Sequence, residues 1–358
     1  MGLNRTVAAL ATTVVLMTGV ALSGCAASDP RAERADALLD EAILAEGPGC
    51  SGAVAERGEV VWTYARGMAD LEGSIPIDTS TRFNIASVTK QFTATAALML
   101  AEEGKIALSD RVSDYVDDLP PWSDEVTVGD LMTHTSGIAD LVVPGDEKVD
   151  REVVLQSLAA NPGARRENTS FHYSNDNYML LGLIVEEASG RDLGEWVQSE
   201  IFAPYELDMA LEPGAVADDI AIGYLEGSPP FTPAPNNYVV PGPTGIVTTP
   251  SELARWGDHY RDPRTLPKTS LEKALNAAVP VDGPDAGYRY GPGVFLSKDG
   301  TIEHIGDVAG TGTYFAVSPD RMSTLAVTCN WRIWSPDEIT AGLVEIWFTD
   351  DDRKPSSD

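Results

Sequence analysis

Three short groups of side chains along this sequence have the types and spacing to do chemistry together. Ser87-Val88-Thr89-Lys90 sets a hydroxyl and an amine three residues apart. In a helix that spacing puts both on one face, within reach of each other. A serine hydroxyl is a poor nucleophile until a neighbouring base takes its proton. At a helix start, Ser87 would also carry a backbone N–H free to meet a developing oxyanion. Tyr173-Ser174-Asn175 brings a phenol and an amide; a nearby ammonium would favour phenolate and make Tyr173 a usable base. His304-Ile305-Gly306 adds an imidazole able to meet a carboxylate or steer a proton, and a glycine that would let substrate approach the backbone. Each group alone has a plain alternative: a capping serine with a solvated lysine, a buried tyrosine near a helix cap, a chance His-x-Gly. Ser-x-x-Lys recurs at Ser270-Leu271-Glu272-Lys273, which reads as surface helix.

The elements that must position these groups are partly visible. Asp29-Pro30 is a helix start, with a capping side chain followed by proline at the first helical position. Leu38, Leu39, Ala42 and Ile43 then recur at helical spacing until Gly47-Pro48-Gly49. Cys50–Glu56 and Glu59–Ala65 read as strands joined by Arg57-Gly58, a tight hairpin. Phe92, Ala96 and Met99 mark one face of a long helix starting at Val88 and stopping near Gly104. Tyr178–Ser189 is helical, strand-like runs return at 293–297, 301–305, 313–318 and 324–330, and a last helix covers Pro336–Phe348. Strands at both ends with helices between imply one sheet built from the two ends of the chain and a helical insertion.

The chain has 358 residues, with 25 Lys and Arg against 55 Asp and Glu. A net charge of −30 repels phosphate, which argues against a nucleic-acid partner. Three cysteines are too few for a disulfide scaffold, zinc-type spacings are absent, and the acidic clusters lack metal-loop spacing; no metal or cofactor is expected. Residues 1–24 hold one early arginine and an apolar run too short to span a membrane, and so read as a secretory signal peptide. Leu22-Ser23-Gly24-Cys25 resembles the lipobox of bacterial lipoproteins, in which the cysteine is lipidated after cleavage. The expectation is an extracytoplasmic protein held by lipid on Cys25 at the bacterial cell membrane, with 25–35 as a tether and 351–358 as a polar tail. In an oxidising compartment Cys50 and Cys329 could bridge, or be two separate small core residues.

In order and approximate spacing, Ser87-x-x-Lys90, Tyr173-x-Asn175 and His304-x-Gly306 resemble the serine penicillin-recognising hydrolases. The branch is that of class C β-lactamases, D-Ala-D-Ala carboxypeptidases, D-aminopeptidases and related esterases. Leu131–Gly137, Phe171–Leu181 and Gly245–Thr249 look like the same family, and the similarity covers roughly 36–350. The resemblance implies an α/β fold: a three-layer α/β/α sandwich from 36–105 and 241–350, with an inserted all-helical domain from 106–240. It implies Ser87 as acylated nucleophile, Lys90 and Tyr173 sharing proton transfer, Asn175, His304 and Gly306 binding substrate, and the backbone N–H groups of Ser87 and Asp307 as oxyanion hole. It also pairs the first strand with the last, which brings Cys50 near Cys329 and favours their disulfide.

Ile305 stands where the family often has Thr, Ser or Gly, and Asp307 where it often has a small residue. Both favour a peptidase or esterase acting on peptidoglycan D-amino-acid peptides or small esters and amides over a dedicated β-lactamase. The alternative of another class is a non-catalytic lipoprotein that binds cell-wall peptide or a protein partner. Of the other histidines, His134 is expected to be structural, His172 to point away from Tyr173, and His259 to lie on the surface.

Overall fold

The computed structural model describes residues 29–349 apart from 141–146, 164–169, 226, 228, 284–285 and 332–335. The expected signal peptide, Cys25 and the tail lie outside these. The hairpin is present: β1 (Cys50–Glu56) and β2 (Glu59–Arg66) join through Arg57 and Gly58, with φ of 52° and 82°. Two left-handed residues in a row match the twist of the flanking strands. β3 (Met68–Asp70) and β4 (Ile75–Pro76) form a small ribbon. β5 (Phe83–Asn84), β6 (Ala210–Leu211) and β7 (Ile246–Thr248) form a three-stranded sheet with β7 in the middle. Because β6 falls within 106–240, that insertion is not wholly helical.

The main sheet is completed by β8 (Val279–Pro280), β9 (Arg289–Tyr290), β10 (Phe295–Leu296), β11 (Ile302–Val308), β12 (Thr311–Val317) and β13 (Ser323–Cys329). Its eight strands are antiparallel in the order β2-β1-β13-β12-β11-β10-β9-β8. The first strand therefore pairs with the last. Their register sets Cys50 opposite Cys329, and the two form a disulfide.

One face of the sheet is covered by the helices Pro30–Ala42 and Pro336–Phe348, over Val54, Trp62, Leu325 and Val327. Asp29 caps the first helix, accepting from Arg31 N at 2.9 Å. Arg31 and Ala35 are buried, so the segment read as a tether is folded from Pro30 onward. The other face carries the helix Pro250–Trp256, packed on β1 and β13, and Lys90–Glu102 lies against this layer, with Phe92 stacked on Trp256 at 4.5 Å. Lys90–Glu102 is buried all round from Lys90 to Leu100 rather than on one face, because Asn175–Ser189 packs against it as well. One continuous apolar cluster runs from Ala53, Val88 and Phe315 to Leu131, Tyr178, Ile184 and Phe202. Sheet and inserted helices thus share a core, and the candidate residues sit within it.

Candidate active site

Ser87 lies in a three-ten turn, Ala86–Thr89, that runs directly into the helix Lys90–Glu102. The turn is held from both ends. Asn84 Oδ1 accepts from Ala86 N at 2.9 Å, Ile85 N donates to the Ile246 carbonyl at 3.0 Å, and Ile246 N donates to Thr89 Oγ1 at 3.2 Å. Ala86, immediately before Ser87, has φ of 50°, a left-handed conformation that costs a non-glycine residue energy and persists because its surroundings enforce it. Gly306 of β11 packs against this turn: a Cβ there would lie 2.4 Å from the Ile85 carbonyl oxygen and 3.2 Å from Ser87 N. The glycine in the third motif is therefore required by the turn that carries Ser87.

Lys90 is fully buried, and its Nζ has three partners: Ser87 Oγ at 2.9 Å, Asn175 Oδ1 at 2.7 Å and the Pro243 carbonyl at 3.1 Å. Two of these can only accept. A neutral amine has two N–H groups for them and one lone pair, which then faces the Ser87 hydroxyl. Burial pushes the Lys90 pKa down to about 7, against the opposing charge of Asp140. An amine poised there suits a base at neutral pH.

Tyr173 packs its ring 4.9 Å from Lys90 Nζ and shares a side-chain hydrogen bond with Ser87. Burial raises its pKa above the usual phenol value, outweighing the Ser87 bond. The phenolate base suggested by a nearby ammonium is not what this environment favours; Tyr173 is a neutral O–H, fit to relay a proton. Asn175 opens the helix Asn175–Ser189, and its Nδ2 donates to Asp140 Oδ2 at 3.3 Å. One hydroxyl, one amine, one phenol and one amide, from two distant segments, thus meet at one place.

His304 is corrected by the structure. It is buried, Nδ1 bonds to the Ile305 carbonyl at 2.7 Å, and Nε2 faces the Tyr290 hydroxyl at 3.4 Å. Burial, aided by the charge of Lys90, pulls its pKa down to about 3. It is a neutral ring in an aromatic cluster with Tyr173, Tyr290 and Phe295, not an imidazolium for a substrate carboxylate. Strand alternation puts Ile305 and Asp307 on the opposite face from Gly306, across from Tyr314 and Gly312. The Asp307 side chain is exposed and points away from the Ser87 turn, so it does not oppose charge developing there.

His134 is structural, as expected: Nδ1 accepts from Ser174 N at 3.3 Å and Asn177 Nδ2 at 3.0 Å, and its carbonyl accepts from His172 N at 2.8 Å. His259 is not on the surface. It is buried, stacked on Trp256 at 4.3 Å, and bonded to the Tyr205 hydroxyl at 2.8 Å. Ser270, of the second Ser-x-x-Lys, bonds Glu102 at 2.6 Å on an exposed helix.

A family model described as Beta-lactamase matches residues 38–345. The chain belongs to the β-lactamase family. Protein flp of Staphylococcus aureus (strain MW2) is 26% identical over 302 residues, which cover 79% of this chain and 59% of that protein. The chain thus spans about three fifths of that curated relative's length. An octameric penicillin-binding protein homologue from Pyrococcus abyssi matches with a TM-score of 0.75 at 26% identity, over 87% of this chain and 74% of that one. The fold is also that of the D-amino acid amidase from Ochrobactrum anthropi SV3, with a TM-score of 0.76 at 20% identity over 88% and 98% of the two chains.

Within this β-lactamase-family site, two groups escaped the sequence reading. The Pro243 carbonyl is a backbone atom on a glycine-flanked loop, and no side-chain motif announces it. Asp140 lies 35 residues before Asn175 and is brought to it only by the fold. Its place just beyond Leu131–Gly137, already read as family-like, was the one available signal.

Proposed function

We propose that the chain is a serine hydrolase of the cell envelope that works through an acyl-enzyme on Ser87, with D-amino-acid peptides, amides or small esters as substrates. The observation that carries this reading is the buried Lys90 amine, 2.9 Å from Ser87 Oγ and tuned to titrate near neutrality. In the reaction Ser87 Oγ attacks the scissile carbonyl carbon while its proton passes to Lys90 Nζ. Negative charge gathers on the carbonyl oxygen, to be met by the backbone N–H groups of Ser87 and Asp307. Packing of Gly306 on Ser87 N supports that pairing. As the tetrahedral species collapses, the proton moves through the Tyr173 hydroxyl to the leaving amine or alcohol, and an ester remains on Ser87. Water then repeats the sequence with Lys90 as base, releasing the acid and restoring Ser87. Asn175 Nδ2 keeps a second hydrogen, beyond the one given to Asp140, for a substrate carbonyl.

A neutral His304 and an apolar Ile305 leave the third motif without a group for a substrate carboxylate. This favours peptidase, amidase or esterase action over dedicated β-lactam hydrolysis. Likeness to the Pyrococcus penicillin-binding protein homologue supports the penicillin-recognising side of the reading. Fluorophosphonate and fluorescent penicillin labelling of wild type beside Ser87→Ala is the test, with kcat/KM for D-Ala peptides, D-amino acid amides, short-chain esters and nitrocefin. A Ser87-dependent adduct and turnover of esters or amides are expected. No adduct and no turnover would replace the enzyme with a binding lipoprotein. Lipid anchoring rests on the lipobox-like Leu22–Cys25; Cys25→Ser is expected to release the protein from the membrane fraction, and its retention there refutes the anchor.

A further inference from the structure

The helix Asn175–Ser189 begins without help from its own N-cap, Ser174, whose side chain makes no capping bond. Asp140 takes that part from across the fold. Its Oδ1 accepts from Asn175 N and from Asp176 N, the latter at 3.4 Å, while its Oδ2 accepts from Asn175 Nδ2 at 3.3 Å. The loop that delivers Asp140 is tied to the same helix, since Ser136 Oγ donates to Asn177 Oδ1 at 2.6 Å and Asn177 Nδ2 reaches His134 Nδ1 at 3.0 Å. One carboxyl oxygen therefore caps the helix and the other holds the nitrogen end of the Asn175 amide. With Nδ2 held there, Oδ1 must face Lys90 Nζ, 2.7 Å away.

We propose that Asp140 is a positioning residue for acylation: its Oδ2 fixes which end of the Asn175 amide meets Lys90, and so aims the amine at Ser87. The inference deepens the function proposed above and rests on it. An amide turned end for end would set N–H against an amine that already gives an N–H to Pro243, and the partner set that leaves a lone pair for Ser87 would be lost. The groups facing the Lys90 amine are Ser87 from its own turn, Tyr173 and Tyr178 at 4.9 and 5.8 Å, Asn175, Asp140, and the rings of His134 and His304. Burial holds both histidines neutral and both phenols protonated. Asp140 is the group whose charge raises the Lys90 pKa against burial.

Asp140→Asn separates the two duties. It keeps an oxygen to cap the helix, and asparagine caps well, but sets an amino group against Asn175 Nδ2. The expected result is a melting temperature close to wild type with Ser87 labelling by fluorophosphonate slowed about tenfold or more. The pH at which labelling is half-maximal should also move down, because the charge that favours the ammonium is gone. Asp140→Ala, which removes both duties, should lose melting temperature as well as rate. Unchanged labelling rate and midpoint in Asp140→Asn would overturn the proposal, as would losses that only track the fall in melting temperature. A second readout does not need turnover: NMR titration of 13C-labelled lysine in Ser87→Ala, with and without Asp140→Asn, should show Lys90 titrating lower in the double variant. An identical midpoint overturns the proposal. If wild type shows no Ser87 labelling at all, the proposed function falls by itself, and this titration still decides whether Asp140 governs Lys90.

Discussion

Substituting Gly306 by alanine tests whether β11 and the Ser87 turn act as one unit in the proposed reaction. The added Cβ would sit 2.4 Å from the Ile85 carbonyl oxygen, 2.9 Å from the Ala86 Cβ and 3.2 Å from Ser87 N. Two of the three are backbone atoms, so no side-chain rotation relieves them. Ordinary contact begins at 3.4 Å, and recovering it means parting strand and turn by about 1 Å. Overpacking of this kind costs about 1–3 kcal/mol, a fall of several degrees in Tm at most. The kinetic effect should be larger. The same 1 Å opens the gap between Ser87 N–H and the backbone following Gly306, and a misplacement of about 1 Å costs roughly a hundredfold in rate. Ester turnover and fluorophosphonate labelling, measured well below the melting midpoint found by circular dichroism, should therefore fall far more than the folded fraction. A Gly306→Ala protein that melts lower but turns over at the wild-type rate would refute the reasoning, because strand and turn could then separate without harm to the chemistry.

Tyr173→Phe keeps the ring packed among His134, Tyr290 and His304 but removes the proton relay; kcat should drop about a hundredfold or more with Tm nearly unchanged, and a drop under threefold would remove Tyr173 from proton transfer. kcat/KM should rise with pH through about 7 as Lys90 loses its proton, and a flat profile from pH 5 to 8 would exclude it as the base. Folding lowers the Lys90 pKa from 10.5 to about 7, so between those values the unfolded chain binds the additional proton and stability climbs with pH. Lys90→Met removes that dependence: the wild-type Tm should rise relative to that of the variant on going from pH 7 to 10, and a constant difference contradicts a buried, depressed lysine. Breaking the disulfide with Cys329→Ser should lower unfolding free energy in denaturant titrations by about 2–4 kcal/mol while the folded variant keeps its activity; equal stability would show that β1 and β13 hold together without it.

Features written in contiguous residues were legible in the sequence. Asp29-Pro30 did start a helix, Arg57-Gly58 did turn a hairpin, and the four carboxy-terminal strands fell where apolar runs lay between turn residues. Strands of two residues such as β8 and β9 leave no alternation to read; their pairing with neighbours defines them. The candidate hydroxyl, amine, phenol and amide are visible as motifs, because the proposed chemistry fixes residue type. Their electrostatics are not. A neighbouring ammonium argues for phenolate at Tyr173, and residue type alone suggests a carboxylate partner for His304, whereas enclosure by Tyr290, Phe295 and each other makes loss of solvent the dominant influence. His259 was misplaced for the same reason: nothing in its flanking residues tells that Trp256 and Tyr205 close over it.

The helices Pro30–Ala42 and Pro336–Phe348 lie on the face of the sheet remote from Ser87. A linker leaving Asp29 sets out from that rear layer, with the eight-stranded sheet between it and Ser87. Under the proposed lipid anchor on Cys25, the tether would join the layer behind the sheet and leave the Ser87 side open to whatever diffuses past.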